Sequence, residues 1–201
     1  THDGQGFTPV DLPGCYSLMA HSAEEETARD FLCFGKADAV LIVCDATCLE
    51  RNLNLVLQIL ELTPNAVVCV NLMDEAARKG ISIDFSAAQA RLGVPVVGTC
   101  AREEASIRAC MDAVKALPET SRTPYRVTYG AELEHAIALL QPALETAGIG
   151  GIPPRWLALR LLDADASLQQ SLQEALGKDL LQDAEVRSAL QLANAFLESA
   201  G

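Results

Sequence analysis

Two short motifs carry residue types that a nucleotide site needs, and each follows an apolar run. Asp11 and Gly14 form an Asp-x-x-Gly pattern, and Asn71 and Asp74 form an Asn-x-x-Asp pattern further along the chain. A carboxylate such as Asp11 can hold a magnesium ion through water beside terminal phosphates. Gly14 can bring its backbone N–H against a phosphate because no side chain stands in the way. The first motif therefore predicts a phosphate and magnesium contact.

The second motif has the chemistry to bind a guanine base. The Asp74 carboxylate can accept hydrogen bonds from the ring N–H and the exocyclic amino group of guanine, a pattern that adenine does not offer. A site built for one hydrogen-bond pattern can reject the wrong partner by roughly 10⁴-fold. Leu72 stands where a lysine is usual, so the aliphatic stem that commonly covers one face of the base is missing.

A third element follows another apolar run and consists of Thr99, Cys100 and Ala101. There the backbone N–H of Ala101 can meet the carbonyl oxygen of guanine. Taken singly, each element also fits a turn or a helix cap. Their order along the chain, each at the end of a predicted strand, favours a guanine-nucleotide site made by all three.

The phosphate-binding loop that should precede these motifs is not in the sequence. No Gly-x-x-x-x-Gly-Lys-Ser/Thr occurs in the 201 residues. Such a loop makes several charge-assisted hydrogen bonds to phosphate, each worth about 1.5–3 kcal/mol. Losing three of them would cost roughly 5–9 kcal/mol, on the order of 10³ to 10⁶ in affinity. We therefore expect this chain to bind GTP poorly or not at all, and its sequence identifies no catalytic residue.

The apolar runs predict the elements that position these motifs. Continuous Val, Ile, Leu and Cys runs are typical of strands buried on both faces of a parallel sheet. The predicted strands cover residues 7–10, 39–44, 66–70 and 94–97. The helices predicted with them cover residues 23–34, 49–62, 86–92 and 103–117, and Asp3-Gly4 predicts a hairpin turn. This alternation predicts a doubly wound α/β sheet with ligands at the carboxyl ends of its strands.

The alternation of predicted strands and helices ends after Pro118. Residues 119–124 are polar and rich in helix breakers, which predicts a linker between a first domain at 1–118 and a second at 125–201. Apolar residues recur at helical spacing in the second part. The predicted helices cover residues 129–147, 153–162, 165–176 and 183–199. We therefore predict a small all-helical second domain.

Composition narrows the function classes. A formal net charge of −12 repels phosphate backbones and anionic lipid headgroups, so nucleic acid is not an expected partner. The apolar stretches are too short to cross a bilayer. Seven cysteines in odd number without a Cys-x-x-Cys pair predict free thiols in a reducing cytoplasm, and the three histidines lie too far apart for a zinc pattern. The abrupt start at Thr1 without Met predicts a cut inside a longer protein.

Longer blocks of sequence resemble the ferrous iron transport protein B family over nearly the whole chain. These blocks are residues 11–18, 22–25, 28–32, 45–53, 71–76, 79–84 and 155–163. The resemblance implies a partial Ras-like, doubly wound, mostly parallel sheet followed by a helical domain. It implies a module that binds GTP or GDP with Mg²⁺ and slowly hydrolyses GTP at the cytoplasmic face of a prokaryotic inner membrane. Its partner would be the family's own membrane permease region, which this soluble fragment lacks, and homo-oligomer formation is left open.

The resemblance also implies a role for individual residues. Asp11 would lie on the magnesium side, Gly14 would sense the γ-phosphate, and residues 15–26 would form the second switch. Asn71, Asp74 and Ala101 would bind guanine. In the absence of a phosphate-loop strand, we expect two unpaired edges in the sheet. Gln58 and the acidic run at 24–26 are interpreted as a solvated face.

A hypothesis from another class is a nucleotide-free interaction module. In it the amphipathic helices of residues 129–199 would dock on the transporter's membrane region or on a partner subunit. Amphipathic faces of this kind most often form a domain core, and Trp156 is expected to pack between helices. A guanine-protected chemical shift near Asp74 would favour the nucleotide hypothesis, whereas partner binding retained in Asp74→Ala would favour the interaction module.

Overall fold

The computed structural model describes residues 2–19, 22–117 and 123–200. By their contacts these residues form two compact units, one of residues 1–19 and 37–126 and the other of residues 20–36 and 127–201. The first helix therefore belongs with the helical unit, although a continuous division at 1–118, 119–124 and 125–201 is what the sequence predicts. Most of that linker lies outside the described residues, so the continuous boundaries stay a prediction.

Three strands and nine helices make up the named elements of the described chain. The strands are β1 (Val40–Asp45), β2 (Ala66–Asn71) and β3 (Val96–Gly98). The first five helices are α1 (Ala23–Phe34), α2 (Leu49–Leu62), α3 (Met73–Arg78), α4 (Phe85–Leu92) and α5 (Glu104–Lys115). The other four are α6 (Ala131–Thr146), α7 (Pro154–Leu162), α8 (Ala166–Leu176) and α9 (Ala184–Ala200).

The first unit is built on a parallel sheet in the order β1-β2-β3. Five of the six residues of β2 are buried, as expected for a central strand with both faces covered. Asp45 at the end of β1 pairs with Asn71 at the end of β2, and Val70 pairs with Gly98 at the end of β3. The parallel α/β fold predicted from the sequence is confirmed, and its topology places three strand ends at one edge.

The predicted strand at residues 7–10 is wrong. These residues form no strand, and Val10 is 55% exposed. A β-strand forms only where a neighbouring strand pairs with its backbone N–H and C=O groups. The described residues provide no such neighbouring strand for residues 7–10. The Asp3-Gly4 turn does form, with His2 N–H donating to Gln5 O at 2.9 Å, but no strand follows it.

Strand β1 forms one edge of the sheet in the described residues, and one of its faces is exposed. Among the described residues β1 pairs only with β2. Leu41 and Val43 lie on one face of β1 and are 42% and 62% exposed, whereas Ile42 and Cys44 on the other face are buried. An open three-stranded sheet has unpaired edges in any case, so the two edges expected from the absence of a phosphate-loop strand stay a prediction.

Several element boundaries follow from local chemistry. Ser22 caps α1 by accepting a hydrogen bond from Glu25 N–H, and Asp84 caps α4 in the same way from Ala87 N–H. The sequence did not predict α3, because a six-residue helix that starts after Leu72 in the left-handed conformation is too short to show periodicity.

The second unit is all-helical, as predicted. Helix α6 packs against α7 and α9, and buried leucines and isoleucines such as Ile137, Leu140 and Leu157 form its core. A short 3-10 helix at Leu180–Gln182 precedes α9. Trp156 is 3% exposed and packs inside this unit, as expected. Within the described part of the chain, we find no helix that combines the length and the apolar character needed to span a bilayer.

Candidate functional site

The ends of β2 and β3 are tied together through the side chain of Asn71. Its Oδ1 accepts a hydrogen bond from Ala101 N–H at 3.2 Å and from the Thr99 hydroxyl at 3.3 Å. Thr99 N–H donates to Val70 O at 2.8 Å, which continues the β2–β3 pairing by one residue. One amide oxygen therefore holds the loop after β3 against the loop after β2.

The backbone after Asn71 turns sharply and delivers Asp74 to the start of a helix. Leu72 adopts φ 62° and ψ 35°, and Met73 N–H donates to Thr99 O at 3.2 Å. Asp74 then lies in the first turn of α3 with its side chain 41% exposed. Its ion-pair partner Arg78, at 3.6 Å, is 69% exposed, and surface pairs of this kind contribute little. The carboxylate is thus open to accept hydrogen bonds from a ligand.

The loop of Thr99, Cys100 and Ala101 is anchored from the other side by α5. Ser106 Oγ accepts a hydrogen bond from Cys100 N–H at 3.1 Å and lies 2.8 Å from Cys100 O. Thr99 is 4% exposed, whereas Ala101 is exposed. Ser106 was not predicted as a site residue from the sequence. Its position in the first turn of a predicted helix, where serine side chains often bond to backbone groups, could have indicated this role.

The end of β1 joins the same edge of the sheet. Asp45 Oδ1 accepts a hydrogen bond from Thr47 N–H at 2.7 Å, and this bond holds the pKa of Asp45 below its ordinary value. Ala46 N–H donates to Asn71 O at 2.9 Å, and Asp45 N–H donates to Asn52 Oδ1 at 2.8 Å. The polar ends of all three strands are therefore fixed by hydrogen bonds before any ligand arrives.

Asp11 and Gly14 are not part of this cluster. Both are exposed, and an added Cβ on Gly14 would meet no atom within 4 Å. Among the described residues no hydrogen bond or ion pair joins either of them to Asn71, Asp74 or the loop after β3. The structure thus joins Asn71, Thr99 and Ala101 by hydrogen bonds, with Asp74 and Cys100 in the segments that follow the same two strands, and it shows no contact between this group and Asp11 or Gly14 in the described residues.

The segment after Gly14 is held by α2. Leu18 N–H donates to Gln58 Oε1 at 2.6 Å, the Ser17 hydroxyl donates to the same oxygen at 3.2 Å, and Leu18 is 1% exposed. Two helical turns before Gln58 on α2, the Arg51 guanidinium lies 4.4 Å from the centre of the Tyr16 ring. The interpretation of Gln58 as part of a solvated face is therefore wrong, because its half-buried side chain accepts two hydrogen bonds from the segment that follows the first motif.

In the helical unit, α1 is locked to α8 by one buried cation. Arg29 is 0% exposed, and its guanidinium lies 2.8 Å from Asp30 and 3.2 Å from Asp165. It also donates to Ser167 Oγ at 2.8 Å and to Ser171 Oγ at 3.3 Å. Burial raises the pKa of Asp165, but hydrogen bonds from Leu168 N–H and Ser167 and the charge of Arg29 outweigh it, so the net pKa is lowered.

One group of side chains that could hold a metal occurs in the described residues, and it does not include Asp11, the magnesium residue that the sequence predicts. The ligand atoms of His2, Asp3 and Asp112 lie within 4.8 Å of one another. His2 Nε2 lies 2.5 Å from Asp112 Oδ1, and Lys115 lies 3.8 Å from Asp3. The ligand atoms of His2 and Asp3 are thus already engaged with Asp112 and Lys115.

Family models match both parts of the chain. Residues 1–114 match the model described as ferrous iron transport protein B, and residues 129–199 match the model of the FeoB cytosolic helical domain. The FeoA–FeoB fusion protein of Porphyromonas gingivalis is 33% identical over 171 residues, which cover 82% of this chain. The Fe(2+) transporter FeoB of Escherichia coli is 37% identical over 168 residues, which cover 79% of this chain.

The chain spans about a fifth of the length of these relatives, 20% and 21% respectively. Among solved structures, the cytosolic domain of the T. maritima FeoB iron transporter in its GMPPNP form superposes with a TM-score of 0.73 at 29% identity. That match covers 92% of this chain and 78% of the T. maritima chain. The parallel sheet described above is thus a Ras-like sheet, and the chain belongs to the ferrous iron transport protein B family, as part of its N-terminal cytosolic region.

Proposed function

We propose that this chain is the guanine-nucleotide-binding module of a prokaryotic ferrous iron transporter, placed at the cytoplasmic face of the inner membrane. The observation that carries the proposal is the double hydrogen bond at Asn71 Oδ1, which holds the Ala101 loop to the residue three positions before the partly exposed Asp74 carboxylate. That arrangement supplies an acceptor pair for the donor edge of guanine and a backbone N–H for its carbonyl. Adenine has the opposite pattern on the same edge.

Each residue has a distinct role in this proposal. Asp74 accepts hydrogen bonds from the ring N–H and amino group of guanine, and Asn71 holds the second loop in place. Thr99 and Cys100 shape that loop. Ala101 N–H, which donates to Asn71 Oδ1 at 3.2 Å, is shared with or transferred to the guanine carbonyl oxygen when the base enters.

The phosphate side is proposed from chemistry alone. The exposed Asp11 carboxylate fits a magnesium ion held through water, and the open surroundings of Gly14 fit a close approach of its N–H to the γ-phosphate. Magnesium would neutralise phosphate charge there. GTP hydrolysis belongs in this proposal to the longer parent protein, and no residue of this chain is assigned as its catalyst.

The absence of a phosphate-loop sequence limits what this chain does by itself. Without those phosphate hydrogen bonds we expect an affinity on the order of 10³ to 10⁶ weaker than that of a complete site. The partner that completes the transporter is proposed to be the membrane permease region of the same parent protein. Regulation of Fe²⁺ uptake would then pass from the nucleotide through this module.

Isothermal titration calorimetry with Mg²⁺ tests the proposal, with GDP, GTP and ATP as ligands and with the intact mass of the sample measured in parallel. We expect guanine nucleotides to bind only in the millimolar range, and ATP to bind more weakly still. Micromolar GTP binding by a chain of 21.4 kDa would overturn the proposed incompetence. Equal binding of ATP and GTP would overturn the guanine site and favour the interaction-module hypothesis.

A further inference from the structure

Two side chains of β2 hold the loop of Thr99, Cys100 and Ala101, and Cys69 is the second of them. Thr99 Oγ1 lies 3.3 Å from Asn71 Oδ1 and 3.1 Å from Cys69 Sγ. Cys69 precedes Asn71 by two residues in β2, and residues at this spacing lie on one face of a strand. Cys69 is 7% exposed and Thr99 is 4% exposed. The buried hydroxyl of Thr99 therefore lies between a thiol and an amide oxygen of the same strand.

The hydrogens of this group favour one arrangement. The Thr99 hydroxyl carries a single hydrogen, and an amide oxygen is a stronger acceptor than a thiol sulfur. Thr99 therefore donates to Asn71, and the Cys69 thiol donates to Thr99. Because the hydroxyl is held from both sides, the rotamer of the Thr99 side chain is fixed. Without the bond from Cys69 the buried hydroxyl oxygen loses a partner, and rotation about χ1 takes its hydrogen away from Asn71.

We propose that Cys69, in its thiol form, is a positioning residue for this loop, because its S–H holds the Thr99 hydroxyl and that hydroxyl holds Asn71 Oδ1. Cys69 lies outside the three motifs of the candidate site. The bond from Thr99 matters most when the base is bound, since Ala101 N–H then turns to the guanine carbonyl and Asn71 Oδ1 keeps only its other described donor, Thr99. This effect on nucleotide binding rests on the proposed function, whereas the ordering of the loop does not.

Hydrogen exchange at the Ala101 amide in Cys69→Ala tests the role. The matched control is Cys44→Ala on β1, since Cys44 is 2% exposed and the same sulfur atom is removed. The Cys100 amide, which donates to Ser106 Oγ, reports any general loosening of the loop. The loss of one hydrogen bond should speed exchange at Ala101 about twofold to tenfold relative to Cys100 in Cys69→Ala, and leave this ratio unchanged in Cys44→Ala. Equal ratios in the two variants would overturn the proposal.

Two further variants separate the donated hydrogen from the packing of the sulfur. Cys69→Ser keeps a donor, and Cys69→Val fills the space without one. We expect serine to restore slow exchange at Ala101 and valine to behave as alanine does; a serine variant that exchanges as fast as the alanine variant would overturn the donor role. The hydrogen bond from Cys110 lowers the pKa of Cys69 to about 6, burial opposes this, and Thr99 adds a smaller lowering. All variants are therefore compared at about pH 5.5, where the thiol form predominates.

A double-variant comparison tests whether Cys69 acts through Thr99. Thr99→Val keeps the shape of the side chain but removes its hydroxyl, so exchange at Ala101 should speed up by itself. Adding Cys69→Ala to Thr99→Val should then change the exchange rate at Ala101 by less than about twofold, because the bond from the thiol has no acceptor left. Effects of the two changes that simply multiply would contradict a route through the Thr99 hydroxyl.

Titration with millimolar GDP and Mg²⁺, followed at the Ala101 amide, extends the test to the nucleotide. We expect the dissociation constant to rise about twofold to tenfold in Cys69→Ala and to return toward the wild-type value in Cys69→Ser. Unchanged affinity in Cys69→Ala, with GDP bound by the wild type, would overturn the role of Cys69 in binding. A wild type that binds no GDP, while exchange at Ala101 still depends on Cys69, would overturn the guanine site alone and support the positioning of the loop.

Discussion

Replacing the buried Arg29 with methionine should destabilise the helical unit strongly. The guanidinium is fully buried between α1 and α8, where it neutralises Asp165, whose side chain is only 14% exposed. Removing one member of a buried ion pair costs about 3–5 kcal/mol, because the remaining charge stays buried without a partner. Asp30 is 33% exposed and keeps its bond from Ser171, so it adds little. We expect a loss of about 3 kcal/mol.

Trp156 makes this loss measurable in the helical unit specifically. It is the only tryptophan of the chain and is 3% exposed within α7. Urea unfolding followed by its fluorescence gives the free energy of unfolding of its surroundings in the full chain. The matched control is Arg187→Met on α9, since Arg187 is exposed and surface changes of this kind stay within about 0.5 kcal/mol.

Comparing the free energies of unfolding of these two variants tests whether the buried Arg29 fixes α1 to α8. If Arg29→Met unfolds within about 0.5 kcal/mol of Arg187→Met, the buried cation is not what fixes α1 to α8. A second variant keeps the test sharp if Arg29→Met does not fold at all. Ser171→Ala removes one donor and one acceptor of the same network, and should cost about 1 kcal/mol.

Three further perturbations follow from the described contacts. Gln58→Ala removes the acceptor of Leu18 N–H, so hydrogen exchange at that amide should speed up at least tenfold. Asn71→Ala leaves Ala101 N–H without its acceptor and should cost about 1–3 kcal/mol in urea unfolding. Asp165 has a folded-state pKa below its ordinary value of 3.8, so it stabilises the fold above that pH and the gain is lost on acidification. Asp165→Asn should therefore unfold with less pH dependence between neutral pH and pH 3.

Matched controls separate these effects from general damage. Asn54→Ala lies on the exposed side of α2, and equal exchange of Leu18 in this variant would contradict the role of Gln58. Asn71→Asp keeps an acceptor oxygen, so it should retain more stability than Asn71→Ala; the reverse order would contradict the hydrogen-bond account. An unchanged pH profile in Asp165→Asn would show that its carboxylate is not stabilised in the folded state.

Local signals were sufficient for most of the fold. The helices predicted at residues 23–34 and 49–62 have the bounds observed for α1 and α2. The strand at residues 7–10 failed because strand formation depends on a neighbour that the sequence pattern cannot supply. Helix α3 was missed because its start depends on a left-handed Leu72, a conformation that no local propensity indicates for leucine.

The candidate site was partly predictable for a topological reason. Parallel strand order alone brings Asn71 and the loop of Thr99 to one edge, so their approach could be expected. Contacts between side chains that are distant in the sequence could not be predicted from it. The bond from Gln58 to Leu18 joins residues 40 positions apart, and that from Arg29 to Asp165 joins residues 136 apart, and neither leaves a periodic trace in the sequence.

Exchange of base specificity in Asp74→Asn is the most direct test of the guanine site. Xanthine presents a carbonyl oxygen where guanine has its amino group, so an asparagine amide can donate to it and still accept from the ring N–H. A mismatched hydrogen bond costs about 1–3 kcal/mol, or roughly tenfold to a hundredfold in affinity. Amide shifts of Ala101 at millimolar nucleotide should show GDP preferred over xanthosine diphosphate in the wild type and the reverse in Asp74→Asn. An unchanged preference would contradict the assignment of Asp74 as the residue that binds guanine.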